Sequence, residues 1–228
     1  MEKECKLPCL EFPKEVERYV NEYAEGERSY ERLKRILIEG GVISAPFEKG
    51  YRPLLRVLPE LNERVNNFKA HCYEDLEVFN DWVFERDEFV VRLLQSNNYS
   101  NLEEPYKEFV EETKRRNRNI IERIKDIALI SEFKIYVVMG RLHAPLVRDN
   151  LREDFDLEKT VLEDICLTPL DESIILAARE GKTKNFDEYL DRHSRLAREA
   201  GESDRDIVDL LRDEQVKRKY DLRTYSSF

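Results

Sequence analysis

Lys134-Ile-Tyr-Val-Val-Met-Gly-Arg-Leu-His143 is the stretch from which the rest of the chain is read. It is an apolar run of strand-forming residues that stops at Gly140 and presents a histidine three residues later. In a layout of parallel strands and helices, His143 falls just past the carboxyl end of a buried strand, where ligands bind. Gly140 lets the backbone turn sharply there and approach a ligand closely.

The pattern extends from this strand in both directions. Upstream, residues 102–129 read as a long charged helix, and its middle, 111–119, holds no apolar residue. That turn is either solvated or points its arginines into a polar site. Residues 74–94 read as another helix and 65–73 alternate as a weak strand. Residues 45–59 read as a loop around a short apolar helix at 54–58, because Gly50 and Pro53 mark turns. Residues 35–39 read as a strand that ends on Glu39 and is closed by Gly40 and Gly41. Residues 13–25 make a helix with a proline in its first turn.

Downstream, Ala144-Pro145 opens a helix to about 152, and 159–165 read as one more strand. From Thr168 only helical patterns follow. Thr168-Pro-Leu-Asp171 is a capping sequence and Gly181 a stop, then come helices over 183–200 and 204–219. The expected class is α/β, a sheet of about four or five strands flanked by helices. It would occupy residues 1–166, with a helical carboxyl-terminal extension at 167–228.

Composition narrows the function classes. The net charge of −10 argues against nucleic acid and anionic membranes as general partners, since both need a cationic surface. The one basic run is Lys114-Arg115-Arg116-Asn117-Arg118. There is no run of about 18 apolar residues to span a bilayer. The first five residues lack the apolar core of a signal peptide, so the expected compartment is the cytoplasm. Charged residues reach 39% while glutamine occurs twice, a thermophile-like balance in which charge networks replace labile amides. The four cysteines, Cys5, Cys9, Cys72 and Cys166, are too scattered for a disulfide scaffold. Cys5, Cys9 and His71-Cys72 have loose zinc-like spacing, and reduced, partly buried thiols are the favoured reading.

The sequence from Arg116-Asn117 through the 134–139 strand to Gly140-x-x-His143 resembles the TraB/TIKI superfamily, which is similar to the erythromycin-esterase and ChaN-like proteins. Leu37-Ile-Glu39 looks like that group's earlier strand, which ends in a glutamate. The resemblance covers roughly residues 33–165. It implies a metal-dependent hydrolase acting on a small molecule or peptide, with a divalent metal held by His143 and Glu39. Either of those residues could instead serve as the acid or base that activates water. Arg116 would bind an anionic substrate group, Asn117 would orient it, and Gly140 would line the site. The family carries a second G-x-x-H near its amino terminus, whereas this chain has no histidine before His71. That departure favours the alternative, a non-catalytic binding or regulatory protein that keeps the fold. A homo-oligomer is compatible with either reading.

Overall fold

Three parallel strands form the sheet of the computed structural model, in the order β2 (His71–Glu74), β1 (Leu7–Pro13), β3 (Ile135–Val137). The structure describes residues 7–43, 48–65, 68–96, 99–131, 134–140, 142–158, 167–181, 185–203, 210–211 and 213. Eight α-helices accompany the sheet among these residues: α1 (Glu17–Ala24), α2 (Tyr30–Glu39), α3 (Glu48–Arg64), α4 (Leu76–Gln95), α5 (Glu103–Ile130), α6 (Ala144–Leu151), α7 (Pro169–Glu180) and α8 (Phe186–Ser203). The chain is therefore mostly helical.

It divides into two compact units, one of residues 1–82 and 115–140, the other of 83–114 and 141–228. Helices α4 and α5 each run through both.

The first unit holds the sheet. Cys9 of β1 lies opposite His71 of β2 and Val137 of β3, and Leu10 lies opposite Cys72. Successive strand residues face opposite ways. Leu10 and Cys72 thus share a face, which joins Phe12, Val20, Leu33, Leu37, Leu55 and Leu58 in one buried core. The edge strand β2 is guarded by side chains of α1. Asn21 exchanges hydrogen bonds with both backbone groups of Ala70 at 2.9 Å, and Glu17 accepts from the Cys72 amide at 2.9 Å. Covering edge donors in this way removes a template for pairing with another chain.

The second unit is helical. Phe89 packs between Tyr106 and Phe109 at ring separations of 5.7 and 5.8 Å, and Phe186 of α8 meets Tyr106 at 4.6 Å. Thr168 and Asp171 form the expected reciprocal cap at the start of α7, and Gly181 closes that helix in the left-handed conformation.

The expected sheet of four or five strands flanked by helices is corrected by this architecture: among the described residues one small three-stranded sheet accompanies eight helices. Residues 35–39 belong to α2. Ser29 caps that helix by accepting from the Arg32 amide, Leu33 and Leu37 are buried one turn apart, and Gly40 ends it. Spacing of four places both leucines on one helical face, so the run is helical despite its isoleucines.

The expected loop at 45–59 is largely α3, with Pro53 and Pro59 inside it. Burial of Leu55 and Leu58 one turn apart offsets the two backbone hydrogen bonds that the prolines cannot make. The strand expected at 65–73 is shorter and later, at His71–Glu74. That expected at 159–165 lies outside the described residues, as does most of the helix expected at 204–219. The 134–139 strand is present as β3, and the helices expected at 13–25, 74–94 and 102–129 are present with small shifts of boundary. Gly201, expected to stop a helix, lies inside α8.

Candidate functional site

The carboxyl ends of all three strands meet at one buried charge, Arg116. This residue sits in the all-polar stretch of α5, yet it is only 2% exposed. Its Nε and Nη2 donate to Glu74 Oε1, at 3.0 and 2.5 Å, and Nη2 also donates to Glu11 Oε1 at 3.0 Å. Glu74 is the last residue of β2 and is 1% exposed, whereas Glu11, near the end of β1, is 17% exposed. The second oxygen of Glu11 accepts from the Gly140 amide, three residues past β3.

The strand order makes this a special place. The connection from β1 leads to β2 on one side, and the next leads back across to β3 on the other. The switch point therefore lies between β1 and β3, where parallel sheets bind ligands outside their carboxyl ends. Glu11 spans that gap.

Aromatic rings complete the setting. The guanidinium lies 4.3 Å from the centre of the Trp82 ring and 5.1 Å from that of Phe79. A ring face is the negative part of the aromatic quadrupole, so both rings favour a desolvated cation. Tyr73 is buried beside the group and donates to the Val138 carbonyl at 2.8 Å. An added Cβ at Gly140 would lie 3.0 Å from Glu11 Oε2, so the carboxylate would have to shift by a few tenths of an ångström.

The charges are unequal in their response to burial. Burial pushes the Glu74 carboxyl above its ordinary value, even with the Arg116 charge and hydrogen bonds pulling it down, and Glu11 adds to the rise. Burial also works against the Arg116 charge, but Glu74 and Glu11 outweigh it and hold the guanidinium above its ordinary value. Among the described residues Glu74 Oε2 is buried without a hydrogen-bond partner. With both carboxylates ionised the trio carries one excess negative charge.

Just beyond the ends of β1 and β2 lies an open depression of about 550 Å³, lined by Glu15, Asp75, Glu77 and Asp81 with Leu76 and Asn80. Asp75 caps α4 by accepting from the Val78 amide at 3.1 Å, and Asp81 pairs with Arg115 at 2.8 Å.

The residues expected from sequence fall in three places. Arg116 and Gly140 come together through Glu11, and Asn117 is buried beside Arg116 on α5. His143 belongs to the second unit. It is 2% exposed and begins α6, its carbonyl accepting from the Leu146 and Val147 amides at 3.0 Å. Glu39 belongs to the first unit, as the exposed last residue of α2 rather than the end of a strand.

The described residues do not fit the metal implied by the resemblance. Among the described residues no three His, Cys, Asp or Glu side chains converge to hold an ion. Nor does a zinc set form around Cys9, His71 and Cys72: Cys9 shares a strand face with His71, and Cys72 points to the other. Both thiols are buried and outside any disulfide, and burial pushes the Cys72 thiol well up.

In the basic run at 114–118, Lys114 pairs with Glu111 and Arg115 with Asp81 near the surface, Arg116 and Asn117 are buried, and Arg118 is exposed. Sequence reasoning missed Glu11 and Glu74 as members of the Arg116 group. Compared with known proteins, the chain matches no family model, no curated protein and no solved structure. No described helix is long and apolar enough to cross a membrane.

Proposed function

We propose that this chain is a TraB/TIKI-like cytoplasmic protein that works by binding a small molecule or peptide rather than by catalysis. The observation that carries this reading is the closure of the Arg116 group. The arginine expected to receive an anionic substrate is buried and committed to two carboxylates of its own chain. A substrate anion would have to displace a buried ion pair, and removing one partner of such a pair costs several kcal/mol, about 3–5. A ligand that arrives at the carboxyl ends of β1 and β2 meets the carboxylates of Glu15, Asp75, Glu77 and Asp81 instead. Complementarity there favours a basic group.

A second reading is favoured by one feature. Glu11 is the member of the trio open to solvent, and it lies at the switch point, so a hydrolase would use it to take a proton from water.

Two measurements separate the readings. Basic and acidic peptides are compared for thermal stabilisation of the protein and of an Asp75→Asn/Glu77→Gln variant. Stabilisation by the basic peptides alone, reduced in the variant, is the expected result. Esters and peptides are then screened with metal content recorded, using the parent and Glu11→Gln. Turnover that disappears in Glu11→Gln overturns the binding reading, as does indifference to basic ligands.

A further inference from the structure

The backbone leaves the first unit at Trp82, returns at Arg115 and leaves again at Gly140. These three places are far apart in sequence, yet each holds or adjoins a member of the same buried group. Trp82 stacks on the Arg116 guanidinium. Arg115, next to Arg116, pairs with Asp81, next to Trp82. Gly140 donates its amide to Glu11, whose other oxygen accepts from Arg116. Glu74 holds the guanidinium from the remaining side through Nε and Nη2.

We propose that the Arg116 group is a latch that makes the three exits from the first unit open together. The physical reason lies in its shared members. Arg116 is common to the Trp82 stack, the Glu74 pair and the Glu11 bond, so a guanidinium that shifts to keep one contact loses another. The members of a buried hydrogen-bonded network strengthen one another, so the loss of one contact weakens the rest. Packing also favours two discrete arrangements over a continuous range. Local opening of this kind is independent of whether the protein binds or hydrolyses its ligand.

Hydrogen–deuterium exchange of the full chain, read by mass spectrometry, tests it with two variants. Glu11→Gln removes the charge that joins Arg116 to Gly140. Gly140→Ala keeps every charge and drives a methyl group to within 3.0 Å of Glu11 Oε2. Loss of one charge-assisted buried hydrogen bond corresponds to roughly a tenfold or larger rise in opening. The expected result is a rise of that order in peptides containing Trp82, Arg115 and Gly140 together, with α1 and α2 unchanged. A rise confined to the peptide containing Gly140 overturns the latch, as does one spread evenly over the first unit. If Glu11→Gln does not fold, Gly140→Ala decides the question alone.

Discussion

Replacing Arg116 by methionine probes the buried group most severely. The substitution keeps much of the apolar stem and removes the charge, leaving Glu74 and Glu11 facing each other without a counter-ion. Breaking a buried pair by deleting one partner costs about 3–5 kcal/mol. Loss of the stacking on Trp82 and Phe79 adds roughly 0.5–2 kcal/mol. The total has a ceiling, because Glu74 escapes the unpaired state by taking up a proton.

The pH dependence follows from that escape. In the variant nothing opposes the effect of burial, so Glu74 binds protons in the folded state at pH values where the unfolded chain has released them. Excess protons in the folded state mean that stability falls as pH rises. The variant should therefore lose about 4 kcal/mol at pH 7.5, a middle value for breaking such a pair, and clearly less at pH 5. Urea unfolding followed by circular dichroism and by fluorescence gives both numbers. Trp82 is the only tryptophan in the chain, so its emission reports from the site itself. Adding Glu74→Gln to Arg116→Met should recover part of the loss at pH 7.5. A loss below about 1 kcal/mol, the range of an exposed pair, would refute the reasoning, as would the same loss at both pH values.

Other expectations follow from single features. Burial lowers the pKa of His193 and of His71, so the folded protein binds fewer protons than the unfolded chain below about pH 6.5; stability is then lost as pH falls, and His193→Leu should flatten the melting temperature between pH 7.5 and 5.5. Glu48, held down to about 2 by hydrogen bonds from Arg52 and Tyr30, adds stability that disappears as pH falls from about 4.3 toward that value, and Glu48→Gln should remove this part of the acid transition. Thr168→Ala opens the reciprocal cap of α7 and should cost about 1 kcal/mol, seen as faster amide exchange in its first turn. Gly181→Ala, at φ +77°, should cost about 1–2 kcal/mol in urea unfolding.

The local grammar of the chain was legible wherever a neighbour within four residues decides the outcome. Thr168-Pro-Leu-Asp171 and Gly181 announce α7 because cap, proline and stop are all local. β3 is legible because a run of β-branched residues ends at a glycine. Residues 35–39 misled because a short run of isoleucine and leucine fits a strand as well as a helix. Leu33 lay outside the run as it was framed, and only with it does the four-residue spacing show. Pro53 and Pro59 misled because a helix rich in buried leucine tolerates prolines that usually end one.

The site divides in the same way. Arg116 and Gly140 stood out by their local setting, an arginine in an all-polar helical stretch and a glycine after a strand. Glu74 and Glu11 did not, being 42 and 105 residues from their partner. Among 49 acidic residues no local signal marks the two that meet a buried guanidinium. Strand ends would have been the one usable hint, since Glu74 ends β2 and Glu11 lies two residues before the end of β1. Glu39 was selected by that rule on a run that proved to be helical.

Solvent exchange of the arginine Nε–H groups tests the central claim, a buried guanidinium closed by its own chain, most directly. In nitrogen-15-labelled protein the account predicts an Nε–H resonance that exchanges slowly at pH 7 and is assigned to Arg116 by its loss in Arg116→Lys. That same resonance should exchange faster in Glu74→Gln, where Nε loses its carboxylate acceptor. An Arg116 Nε–H that exchanges as fast as the surface arginines would contradict the account, because the group would then be open to water and to substrate.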